Sequence, residues 1–157
     1  MLCSHASQVA LRAALFLAHQ PRGKVCPIHE IAYMTRLPKP YLAKTIQQLM
    51  TAGLVRAQRG PGGGVELGKA PEQIRLRDLV NAMEGPAHAE QCALGLRACS
   101  ERRSCPLHGQ WVRIQAETQA LLEKTTLASL LQQLCSSRTL IKEFGLSGCG
   151  GRDGLSD

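Results

Sequence analysis

Four residues able to ligate a metal stand close together in this chain: Cys92, Cys99, Cys105 and His108, in the spacing Cys-x6-Cys-x5-Cys-x2-His. Thiolates are the usual ligands of iron-sulfur clusters. An imidazole can replace one of them, which leaves less negative charge around the iron and raises its potential. The same four groups suit a tetrahedral structural zinc, although zinc ligands are more often about two to four residues apart, as only Cys105 and His108 are here. Bare thiols that respond by oxidation are a third reading. Spacing alone does not separate the three. The intervening Arg97, Arg102 and Arg103 would favour thiolates and offset the charge of a cluster. The chain holds seven cysteines and no export signal, which points to metal or redox chemistry rather than a disulfide framework. Cys26 and Cys135 read as small buried hydrophobes, Cys149 as an exposed redox-sensitive thiol, and Cys3 carries no assignment.

Such a loop needs rigid elements on both sides. Before it, Leu76 to Met83 reads as a helix ended by Gly85-Pro86. After it, Leu107, Trp111, Ile114, Thr118, Leu121 and Thr125 recur at alternating spacings of four and three, the seam of one long helix. The organisation expected is a first unit over 1–84, a cysteine-rich loop over 85–108 as the candidate cluster-binding segment, a helix region over 109–134 that packs within one chain or, as a dimerisation helix, against a second copy, and a flexible glycine-containing tail over 135–157.

Within the first 84 residues, Ser7 to Ala18 has Val9, Ala13, Phe16 and Leu17 on one helical face, and Pro27 to Met34 opens a second helix. The turn Thr35-Arg36-Leu37-Pro38 leads into a third, about Pro40 to Met50, stopped near Gly53. Leu42, Ile46, Leu49 and Met50 form its apolar stripe. Lys39, Tyr41, Lys44, Thr45 and Gln48 occupy its other side, all able to meet phosphates or base edges. Two helices joined by a tight turn, the second polar outward, form a helix-turn-helix; an ordinary helical hairpin would show the same pattern. Leu54 to Gln58 and Val65 to Leu67 then read as the strands of a β-hairpin around Arg59-Gly60-Pro61-Gly62-Gly63-Gly64. This tip fits a wing, with Arg59 the cation and Gly60, Gly62 and Gly63 allowing close backbone approach. A nucleotide phosphate loop fits it less well, because no Gly-Lys-Ser/Thr follows. The fold class expected is mainly α: a winged helix-turn-helix with a small hairpin wing and a long C-terminal dimerisation helix.

Charge agrees with that reading. Residues 1–80 hold eleven Lys and Arg against four Asp and Glu, whereas the other 77 hold eight of each sign. The excess falls on the half with the helix-turn-helix and favours a polyanionic partner over a generally basic soluble surface only when joined to that motif, which makes the expected partner double-stranded operator DNA. With 3% aromatic residues the core must be built from Ala, Leu, Val and Ile, which suits helices. No apolar run approaches the roughly 20 residues of a bilayer span, so no membrane partner and a cytoplasmic location are expected. An enzyme or redox carrier is disfavoured because no acid-base pair or substrate motif accompanies the cysteines.

Taken in order, the helix-turn-helix, Arg59-Gly60-Pro61-Gly62-Gly63-Gly64, Leu67-Gly68-Lys69, three cysteines, His108 and Trp111 resemble the Rrf family of winged-helix regulators, which includes IscR, NsrR and RirA. The resemblance covers about residues 1–134. It implies a homodimer with crossing long helices, a recognition helix at about Pro40 to Met50 and Arg59 entering the minor groove. It also implies a [2Fe-2S] cluster on Cys92, Cys99, Cys105 and His108, with [4Fe-4S] or zinc as alternatives, whose state alters DNA affinity. The chain departs from the family in three places. The first cysteine gap is one residue longer than the IscR pattern; Gln8 stands where NsrR has an aspartate ligand; and Ala43 replaces an acidic residue of the recognition helix. The last change alters base-edge readout.

Overall fold

The computed structural model describes residues 4–86, 92–96 and 105–146. The elements run α1 (His5–His19), α2 (Ile28–Thr35), α3 (Lys39–Thr51), β1 (Val55–Gln58), β2 (Gly64–Leu67), a 3-10 turn (Pro71–Gln73), α4 (Leu76–Glu84), α5 (His108–Lys124), α6 (Leu127–Cys135) and α7 (Arg138–Glu143). The mainly helical winged-helix class is observed, with helix ends one or two residues from those expected.

Helix α1 starts at Ser4, whose Oγ accepts the Ser7 amide at 3.3 Å, and it is surrounded. Val9, Ala10, Ala13, Ala14, Leu15, Phe16 and Leu17 are all buried. Its alanines let α3, α4 and α6 approach closely, and each large apolar side chain taken out of water contributes about 1.5–3 kcal/mol. Ile31 of α2, then Leu42, Ile46 and Leu49 of α3, close the same core. Met50, expected in that stripe, is 39% exposed, because α3 is nearing its end there and turns the side chain outward.

Strands β1 and β2 pair antiparallel, Val55 opposite Leu67 and Gln58 opposite Gly64. Val55 and Val65 point into the core while Arg56, Ala57 and Gln58 stay exposed. Cys26 adds a third backbone partner: its N–H donates to the Val65 carbonyl, and its carbonyl accepts the Val65 N–H, both at 2.9 Å. The wing is thereby tied to the segment that enters α2. Only glycine fits at position 64, since a Cβ would overlap the Cys26 carbonyl.

Two expectations are corrected. The helix read from the seam over 107–125 is α5, but the region over 109–134 also holds a second helix, because Thr126 and Ser129 form a reciprocal cap at 3.1 Å that starts α6 afresh. The junction is held by the Leu76 amide on the Thr125 carbonyl and the Leu127 amide on the Ile74 carbonyl, at 2.9 and 2.8 Å. Helix α6 therefore returns to the first unit, burying Leu127 and Leu134. Nor is the chain a flexible tail from residue 135: α7 and residues 144–146 pack back, with Leu146 wholly buried. The glycines suggested a loose tail, but Gly145 serves a tight turn against α2 instead.

Replacing Gly64 by Ala should force the wing away from Cys26 and destabilise the fold by about 1–3 kcal/mol, read as a lower denaturation midpoint at unchanged m-value. An unchanged midpoint would show that the Cys26 strand contact yields freely.

Candidate nucleic-acid interface

Helices α2 and α3 meet through Arg36, Leu37 and Pro38. Arg36 takes φ +55°, and the Leu37 amide bonds back to the Ala32 carbonyl at 3.0 Å. Pro38 ends the turn in extended backbone, and Lys39-Pro40 opens α3 with no side-chain cap. The first amides of α3 thus remain available to an anion at the positive end of the helix. Lys39, Pro40, Lys44 and Gln48 are exposed along α3, and Gln47 joins them. Its polar type one turn from Lys44 was the available signal, missed in the sequence. Lys39, Lys44 and Arg59 enter no ion pair among the described residues, whereas Arg56 is paired with Glu66 at 2.9 Å.

Two expected contact residues behave differently. Thr45 is 2% exposed and donates its hydroxyl to the Tyr41 carbonyl at 3.0 Å. It lies beside Ile46 on the buried side, one position round the helix from Lys44, so it is removed from the DNA-facing set. Tyr41 is half-buried, with its ring 5.3 Å from that of His5, and presents only part of itself. At the wing tip Arg59, Gly60 and Gly62 are exposed, Gly63 half-buried; Gly60 and Gly62 have positive φ, so the tip turns tightly behind Arg59.

Helix α4 carries the interface toward the cysteine segment. The Glu84 carboxylate at its end accepts the Ser4 amide at 2.8 Å and also the Ser7 hydroxyl, locking α4 to the start of α1. Just beyond, Cys92 is half-buried in a turn, its carbonyl accepting the Gly95 amide at 2.9 Å. Cys105 and His108 are joined by the His108 amide on the Cys105 carbonyl at 2.9 Å, which places the imidazole in the first turn of α5. Cys92 and Cys105 are thiols rather than disulfides, and both, with His108, are partly accessible. Their donor chemistry fits an iron-sulfur group. Among the described residues no three His, Cys, Asp or Glu side chains converge on one point. Cys99, Arg97, Arg102, Arg103, Cys3 and Cys149 lie outside the described residues.

Gln8 is exposed on α1. Cys26 is fully buried, and burial, then Glu30, pushes its thiol pKa up, in keeping with a packing role. Cys135 is half-buried and disulfide-bonded, not the buried apolar thiol expected, since it sits at the exposed end of α6.

Helix α5 buries no residue fully; Leu107, Val112, Ile114 and Leu121 are 44–58% exposed. Of the expected seam, Trp111, Thr118 and Thr125 are half-buried. Arg75 and Arg77 both hold Glu123 of α5, the second at 2.6 Å. No helix among the described residues is long and apolar enough to cross a membrane.

A basic helix-turn-helix with a glycine-tipped wing defines a winged-helix DNA-binding regulator. The chain belongs to the Rrf2 family, iron-dependent transcriptional regulators, whose model matches residues 3–133. It is 31% identical over 133 residues to a protein of Aquifex aeolicus named as an HTH-type transcriptional regulator, covering 83% of this chain and 92% of that one. Among solved structures it resembles CymR, the global cysteine regulator of B. subtilis, with TM-score 0.70 and 27% identity over 83% of this chain and 95% of that one. T. potens IscR gives TM-score 0.68 and 25% identity over 83% and 85%. Rrf2 regulators bind DNA, are typically dimeric and are not enzymes.

If Lys44 meets a phosphate, Lys44→Ala should weaken binding to all duplexes alike and lower the slope of log K against log salt by about one unit. Thr45→Ala should leave that slope unchanged. An unaltered slope for Lys44→Ala would remove it from the interface.

Proposed function

We propose that the chain is a homodimeric operator-binding regulator, most simply a repressor, whose DNA affinity is set by an iron-sulfur cluster on Cys92, Cys99, Cys105 and His108. The observation that carries this reading is the placement of two accessible thiols and an imidazole between α4, which packs on the recognition helix, and α5, which offers an apolar face to a second copy. When bound, a [2Fe-2S] cluster supplies a redox- and nitric-oxide-sensitive centre that can be gained or lost. The chain's own part is mechanical. Cys92 follows the end of α4, whose Glu84 is fixed to α1, while Cys105 and His108 set the start of α5.

Any difference in how the two cluster states orient α4 and α5 becomes a difference in DNA affinity, since a ligand shifts an equilibrium only by its unequal affinity for the two forms. On the DNA, Lys39, Pro40, Tyr41, Lys44 and Gln48 serve the major groove and its phosphates. Arg59, with Gly60, Gly62 and Gly63, serves the wing.

A second reading is thiol-based control without a cluster. It is favoured by the disulfide at Cys135 and by the likeness to CymR, named a cysteine regulator.

Anaerobic purification should give a brown protein containing iron and acid-labile sulfide. Cys99→Ala should abolish the colour and leave the far-UV circular dichroism intact. Colourless protein with stoichiometric zinc, or with no metal and a DNA affinity that follows thiol oxidation, would replace the cluster by the corresponding alternative.

A further inference from the structure

The angle at which α3 is presented depends on how α2 stops, and α2 stops without a glycine. A residue with a Cβ is disfavoured at the left-handed backbone that Arg36 adopts, so something must hold the turn. The turn's own bonds use the Tyr33 and Ala32 carbonyls, accepting from Arg36 and Leu37 at 3.4 and 3.0 Å. The Thr35 carbonyl at the helix end is left to another donor.

That donor is Arg12, the one cation in an otherwise apolar stretch of α1. Its Nη2 donates at 2.8 Å to the Thr35 carbonyl and at 2.8 Å to the Glu143 carbonyl of α7. The guanidinium also lies 5.7 Å from the centre of the Phe144 ring. Two residues further on, Leu146 is wholly buried. Between them Gly145, at φ +68°, presses on the Met34 carbonyl so closely that a Cβ would overlap it. Residues 143–146 thus fasten to the last turn of α2 through the Arg12 bridge and the close approach of Gly145 to Met34, while the Phe144 ring lies by Arg12 and Leu146 anchors the segment in the core. They lie beyond the residues matched by the family model.

We propose that Arg12 is a positioning residue for operator reading, and that residues 143–146 are the strap it holds. Arg12 reaches the DNA only through the Thr35 carbonyl. It fixes the turn at Arg36 and so the pitch of α3 against base edges. Contacts to the phosphate backbone tolerate small rotations of a helix, whereas base-edge hydrogen bonds do not. The strap therefore governs discrimination between sequences more than overall affinity.

The test compares two duplexes: one enriched from a random library by the wild-type protein, and one of the same composition in shuffled order. Arg12→Met keeps the stem and removes the donors. It should lose about tenfold on the enriched duplex, the size of one mismatched base pair, and less than about twofold on the shuffled one. Gly145→Ala displaces the strap from the other side and should do the same. The double variant should be no worse than either single one by more than about twofold, as for two changes to a single device. The wild-type ratio, measured in parallel, tests the DNA-binding reading separately. A folded variant that keeps the wild-type ratio, or one that weakens on both duplexes equally, would overturn the proposal. So would loss of fold in both variants, which would make Arg12 a residue of general stability.

Discussion

The rest of the structure depends on the burial of α1. A helix wrapped by α2, α3, α4, α6 and β2 cannot shift without disturbing them together. Its small residues make this possible, since Ala10, Ala13 and Ala14 have no exposed surface and admit neighbouring backbones at close range. Its polar positions are the fastening points. Ser4 and Ser7 take the Glu84 carboxylate of α4, and Arg12 takes the ends of α2 and α7. The reading helix, the entry to the cysteine segment and the C-terminal strap all refer to one rod.

Helices α5 and α6 divide the remaining work. Leu127 and Leu134 return α6 to the common core, and the pairing of residues 74–76 with 125–127 fixes the corner. Helix α5, pinned to α4 by Arg75, Arg77 and Glu123, keeps Val112, Ile114 and Leu121 in solvent. Such an apolar surface is what the dimer proposed above would cover, and Rrf2 regulators are typically dimeric. Cys105 and His108 lie at its first turn, so in the proposed reading subunit contact and cluster ligation would share one element.

The helix-turn-helix and the wing were legible because their signals are local: apolar spacing, a proline before α3, two strand-like runs about a glycine-rich tip. The exposed lysines of α3 followed from the same spacing. Thr45 did not, because a threonine one step from the polar side can equally turn inward and bond its hydroxyl to the preceding turn, as it does with Tyr41. The seam stops at Thr125, where α5 ends, whereas the separate start of α6 rests on the Thr126–Ser129 cap, which apolar spacing does not report. The return of residues 138–146 was hidden by glycines that usually mark a loose end. Arg12 and Glu84 gave no local sign, since their partners are 23 to 131 and 77 to 80 positions away in the chain. The cysteine loop was visible as chemistry, and its geometry is a matter of long-range contacts that spacing does not encode.

The backbone pairing of Cys26 with Val65 joins the approach to α2 with the middle of the hairpin. Recognition helix and wing therefore form one stiff caliper. Its jaw width is set during folding, before any duplex is met, so in the proposed mode of binding a major groove and its flanking minor groove would have to conform to that span. Sequence-dependent groove width would then be part of what such a regulator measures, alongside any bases it touches.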